Sequence, residues 1–83
     1  ILVRCTAAHP RDDLVAIGYE DGMIELAPLD ERPSIMIHPP VAEKDHAIMG
    51  LAWYRAGTAL FAATQAGSVM LFTLDSVAAA VKQ

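Results

Sequence analysis

The sequence predicts an all-β fold of antiparallel strands, arranged as two tandem units of which the first has four strands and the second three. Three observations carry the prediction. Leu14–Leu26 (LVAIGYEDGMIEL) sets two apolar, partly β-branched runs around Glu20-Asp21-Gly22, and an Asp-Gly in that setting is a strong hairpin signal. Ala59–Leu71 (ALFAATQAGSVML) repeats the arrangement with Ala66-Gly67 at its turn. A shift of 45 residues then lays Val3–Asp30 on Ile48–Asp75 without a gap, with Ala7/Ala52, Gly22/Gly67, Leu26/Leu71, Leu29/Leu74 and Asp30/Asp75 identical. The matched turn glycines and the unbroken strand order say more than five identities alone could.

Taken in order, Val3–Ala8 (VRCTAA) is a strand that stops at His9-Pro10, because proline has no N–H to give a ladder. Leu14–Tyr19 is nearly continuous in apolar residues, as a strand covered on both faces should be. Gly22 supplies the positive φ of the turn and Asp21 bonds the backbone beside it. Met23–Ala27 returns, Pro28 and Asp30-Glu31-Arg32-Pro33 break the structure, and Ser34–His38 (SIMIH) forms a fourth, shorter strand. Residues 39–46 read as a surface link between the units. Ile48–Trp53 (IMGLAW), a turn at Arg55-Ala56-Gly57-Thr58, Ala59–Thr64 and Ser68–Leu74 rebuild three strands. The tail, 75–83, is Ala-rich but too short to hold a helix unaided.

Composition excludes several functions. The net charge is −4 with no cluster of Lys and Arg, so the positive footprint of a nucleic-acid binder is missing. One cysteine, Cys5, allows neither an internal disulfide nor a multi-cysteine zinc site, and suits a reducing cytoplasm. No run of 18 apolar residues exists to form a membrane-spanning helix. Apolar residues nevertheless make up 54% of the chain, which is rich for so short a body and points to apolar surface hidden against something else. The first residue is Ile, so the expectation is a fragment or a processed product.

A period in the low-to-mid forties with four strands per unit is the signature of a β-propeller blade, and the wording of the repeat resembles the WD-repeat (WD40-like) family. Asp45-His46 stands where that family places a Gly-His pair, YEDGMIEL is close to its hairpin, and RAGTALFAATQAGSVMLF follows the same course. The family's Trp-Asp pair is replaced by Ala27-Pro28 and by Phe72-Thr73, the hairpin Asp becomes Ala66, and Ile1 occupies the first unit's His position. The resemblance implies two degenerate C-terminal blades: one about 3–38, one about 47–74 and lacking its fourth strand. It also implies that His46 makes a structural hydrogen bond, that Asp21, Gly22 and Gly67 shape the hairpins, and that Trp53 anchors the second blade.

Catalytic and metal-binding patterns are poor. His9, His38 and His46 have no metal-pair spacing, and the acidic pairs Asp12-Asp13 and Glu20-Asp21 lack the EF-hand pattern. They read as turn-makers. No phosphate-binding loop or nucleophile elbow occurs. Neither a cofactor nor a metal is expected, and the chain is not expected to be an enzyme. The function expected is a protein–protein interaction scaffold in which the loops of one rim dock proteins or peptides. The resemblance puts Glu20, Lys44, His46 and Gln65 on that rim. Two alternatives stand beside it: part of a propeller hydrolase or lactonase, and a small β protein whose copies close a ring together. The remaining blades of a propeller, or further copies of the chain, are accordingly the other expected partners.

Overall fold

The computed structural model describes residues 2–42 and 45–73. Lys44 and the tail 75–83 lie outside the described residues. Two antiparallel sheets make up the fold. The first runs β1 (Val3–Ala8), β2 (Leu14–Tyr19), β3 (Ile24–Pro28) and β4 (Ile35–His38) in chain order. The second runs β5 (Ile48–Tyr54), β6 (Ala59–Thr64) and β7 (Val69–Thr73), with a single 3₁₀ turn, Arg55–Gly57, between β5 and β6. These are the antiparallel blades that the sequence predicts, one of four strands and one of three.

The 45-residue repeat holds down to individual hydrogen bonds. In the first sheet Tyr19 N–H donates to the Met23 carbonyl at 2.9 Å, and in the second Thr64 N–H donates to Ser68 at 2.9 Å. Glu20 N–H reaches Leu2 at 2.9 Å, and its counterpart Gln65 N–H reaches Ala47 at 2.9 Å. Gly22 and Gly67 sit at φ of 90° and 91°, a left-handed conformation that side chains other than glycine's resist. A β-bulge between Val3 and Cys5 recurs between Ile48 and Gly50.

Strand alternation gives each sheet two faces. Ala7, Ala16 and Leu26 lie in register across β1–β3, as do Cys5, Gly18 and Ile24. This face meets the second sheet. The buried core consists of Ala16, Ile24 and Leu26 from one side and Ile48, Leu60 and Ala62 from the other. Leu51, Trp53, Met70 and Phe72 pack around it. Gly18 lets the sheets close: a Cβ there would stand 2.5 Å from Cγ2 of Ile48 and 2.9 Å from Sγ of Cys5.

Candidate functional site: the turns at one end and the staple at the other

At one end of the paired sheets the β2–β3 turn, the segment after β4 and the β6–β7 turn come together. The repeat places both hairpin turns at this end, and backbone bonds hold them. Val41 N–H donates to the Asp21 carbonyl at 2.7 Å. His38 Nδ1–H donates to the Gly22 carbonyl at 2.8 Å. Oδ1 of Asp21 accepts from Met23 N–H at 3.1 Å, an Asx turn that fixes the hairpin. Gly22 is buried: a Cβ on it would come within 2.9 Å of the His46 carbonyl oxygen and 3.3 Å of Val41 Cγ2. Thus the segment 45–47 is seated directly on the first hairpin and, through Ala47, tied to the second.

Of the residues singled out on sequence, Glu20 and Gln65 are exposed at the first positions of equivalent turns. His46 is half-buried in the segment before β5 and is engaged in interactions of its own. Gly67 is exposed at the tip of the second turn, with nothing within 4 Å of where its Cβ would stand. Lys44 falls outside the described residues. Among the described residues no three His, Cys, Asp or Glu side chains converge as metal ligands would.

At the opposite end Trp53, expected to anchor the second blade, meets a partner that the sequence does not point to. His9 is half-buried there and staples the two sheets. Its Nδ1 accepts from Arg11 N–H at 3.0 Å and Asp12 N–H at 2.8 Å. The ring proton must therefore reside on Nε2, which donates to the Gly57 carbonyl of the second sheet's 3₁₀ turn at 3.0 Å. The edge of the ring meets Trp53 at 4.6 Å between centroids, and Trp53 Nε1–H donates to the Ala7 carbonyl at 2.9 Å. A side chain at Gly57 would run into the His9 ring. Spacing offers no signal for this cluster, because its members lie 46 and 48 residues apart. Beside it Arg32 bridges Asp12 and Asp30 at 3.3 and 2.9 Å, and the guanidinium holds both carboxyls below the usual range.

Cys5 belongs to neither end. Its Sγ–H donates to the Ile48 carbonyl at 3.3 Å in the seam between the sheets, and burial pushes the thiol above its ordinary pKa. That is the chemistry of a packed, protonated thiol rather than a nucleophile.

Comparison with known proteins agrees with the geometry. A family model described as the anaphase-promoting complex subunit 4 WD40 domain matches residues 6–82. No curated protein and no solved structure gives a significant match.

Proposed function

The chain belongs to the family of anaphase-promoting complex subunit 4 WD40 domains, and from that premise we propose that it is a non-catalytic scaffold whose partners are proteins or peptides. The family's namesake is, as its name states, a subunit of a larger complex, which supports a part in an assembly here too. A single observation supports the proposal: the segment before β5 packs its His46 backbone against Gly22 of the first turn and, through the Ala47 carbonyl, accepts a hydrogen bond from Gln65 N–H of the second; Glu20, His46 and Gln65 are proposed to face a partner from there. A turn backbone already held by hydrogen bonds need not be ordered when a partner docks, which spares that part of the cost of binding. Lys44, next to the Asp45-His46 pair in sequence, is proposed as the cationic member of the same surface.

The test compares affinity capture by the parent chain with capture by a variant carrying Ala at positions 20, 44, 46 and 65. A control variant, Arg32→Gln, alters the opposite end. Proteins held by the parent and by the control but lost from the four-residue variant support the proposal. Equal capture by all three, with each chain folded by circular dichroism, overturns it.

A further inference from the structure

Two sulfur atoms lie side by side in the seam where β1 meets β5, in opposite chemical settings. Cys5 Sγ–H is half-buried and donates to the Ile48 carbonyl at 3.3 Å. At the neighbouring residue of each strand, Sδ of Met49 accepts from Nη2–H of Arg4 at 3.7 Å. Arg4 and Met49 are the unpaired members of the two β-bulges. Val3 and Cys5 face Tyr19 and Gly18, Ile48 and Gly50 face Thr64 and Ala63, and neither residue in between has a ladder partner. A bulge re-aims the side chain of its extra residue. The two bulges stand 45 residues apart in the repeat, and they aim a cation and a thioether at one another across the sheets.

As it stands the contact uses little of what Arg4 offers. A guanidinium carries five N–H donors, and a thioether is a weak acceptor. Among the described residues both carboxylate ion pairs belong to Arg32, and Arg4 has no acidic partner. Met49 is 50% exposed, so a small oxidant in solution reaches its sulfur. The other sulfurs differ in one respect or another. Burial keeps the Cys5 thiol protonated, and it is the thiolate that peroxide attacks. Met70 is half-buried and packs against the core, where an added oxygen would meet apolar neighbours. Met36 is 54% exposed at the edge strand β4, but among the described residues its sulfur meets no cation. Met49 alone of these combines access with a waiting donor.

We propose that Met49 is an oxidation site for hydrogen peroxide, and that Arg4 captures the sulfoxide oxygen in a charge-assisted hydrogen bond across the seam. The sulfur lone pair attacks one peroxide oxygen; the S–O bond forms as the O–O bond breaks. The second oxygen takes the proton of the first and leaves as water, and the two electrons lost by sulfur reduce the peroxide. A sulfoxide oxygen is a far better acceptor than a thioether, and bonds from an ionised donor are about twice as strong as neutral ones. Oxidation of methionine commonly loosens apolar packing. Here it adds a link between β1 and β5, beside the one from Cys5 to Ile48. A methionine sulfoxide reductase undoes it: the oxygen leaves as water and two thiols of the reductant become a disulfide. The site is independent of the proposed role of the turn-bearing end, because its readouts are oxygen uptake and unfolding rather than capture of a partner.

Two measurements test it. The chain carrying Met36→Leu is treated with dilute hydrogen peroxide, and peptide mass mapping follows each remaining sulfur. Met49 gains one oxygen before Met70 does, while Cys5 stays unmodified, and a sulfoxide reductase with dithiothreitol removes that oxygen. A Met49 still unoxidised when Met70 has been converted overturns the proposal. Urea unfolding then reads the capture, with Met49→Gln standing for the sulfoxide through its amide oxygen and Met49→Leu for the apolar side chain. The step from the Leu variant to the Gln variant lowers the unfolding constant about two- to fivefold more with Arg4 present than in an Arg4→Leu background, the size of an exposed charge-assisted pair. An equal step in both backgrounds overturns the proposal, since an exposed side chain with no tie to Arg4 would give that result. If Arg4→Leu fails to fold by circular dichroism, the guanidinium N–H resonances of Arg4 are followed while the Met36→Leu chain is oxidised. Exchange with water that slows in step with the Met49 mass change upholds the capture; unchanged exchange overturns it.

Discussion

Gly18→Ala tests whether the two sheets are docked as described. The added methyl would stand 2.5 Å from Cγ2 and 2.7 Å from Cβ of Ile48, and 2.9 Å from Sγ of Cys5. Ile48 cannot step aside: it is fully buried, and a β-branched side chain is stiff at χ1. Relief must come from parting the sheets, and overpacking of this kind costs about 1–3 kcal/mol. For a domain of this size each kcal/mol lowers Tm by roughly 4–8 °C. Gly50→Ala is the matched control, because its Cβ meets nothing within 4 Å; a methyl there gains about 0.4–1 kcal/mol by narrowing the unfolded ensemble. The assay is urea unfolding followed by circular dichroism and by the fluorescence of Trp53, the chain's one tryptophan. Ile48→Ala alone costs about 2–5 kcal/mol, and combined with Gly18→Ala it should cost less than the sum by about 0.5–3 kcal/mol, the size of coupling between residues in contact. If Gly18→Ala is as harmless as Gly50→Ala, or the pair is additive, the Ile48 contact is not what joins the sheets.

Three further outcomes are expected. Trp53→Phe keeps an aromatic ring against His9 but leaves the Ala7 carbonyl without its indole donor, a loss of about 1–3 kcal/mol by the same unfolding assay. Cys5, whose thiol is pushed up by burial, should react with a thiol reagent at pH 8 more slowly than a free cysteine and reach the free rate in denaturant. Because the folded chain then holds the proton longer than the unfolded one, stability should also fall as pH rises through and above the ordinary thiol range, and Cys5→Ala should flatten that fall. At the acid end the sign reverses. Asp12 and Asp30, held low by Arg32, add a small stability that is complete above the usual carboxylate range and lost as pH falls below it. Arg32→Gln or high salt should shrink that acid-side loss, measured as the difference in urea midpoint between pH 6 and pH 3.

Strand order and hairpin position were legible because their causes are local. Asp21-Gly22 fixes a turn from within four residues, and Pro10 ends β1 by lacking an N–H. The repeat added the second sheet's turn even though Asp is lost at Ala66. Pro28 reads as a breaker in the sequence, yet it closes β3 opposite Leu14, since the last position of a strand can do without a donor. His9 was illegible for the converse reason: its acceptor role is set by Arg11 and Asp12, but its work is done on Trp53 and Gly57, far along the chain. Gly18 looked like one small residue in an apolar run, and only a neighbour arriving from 30 residues away shows why no larger one fits. The grouping of the candidate rim residues rests on family likeness; the bonds from Glu20 to Leu2 and from Gln65 to Ala47 show only that the two turns are held alike.

The side-chain bonds that cross between the sheets span 43 to 48 residues, whereas each hairpin closes over a handful. That difference sets an order of events in time. Closing a loop about ten times longer costs roughly 2 kcal/mol more in chain entropy, while hairpins of this kind form in about 1–10 μs. Both hairpins should therefore be present and waiting before Ile48 finds the gap beside Gly18, and the rate-limiting barrier should lie in that meeting. In a stopped-flow refolding experiment the strand signal in circular dichroism would rise first and Trp53 fluorescence would change later. Gly18→Ala would slow the second phase and leave the first alone.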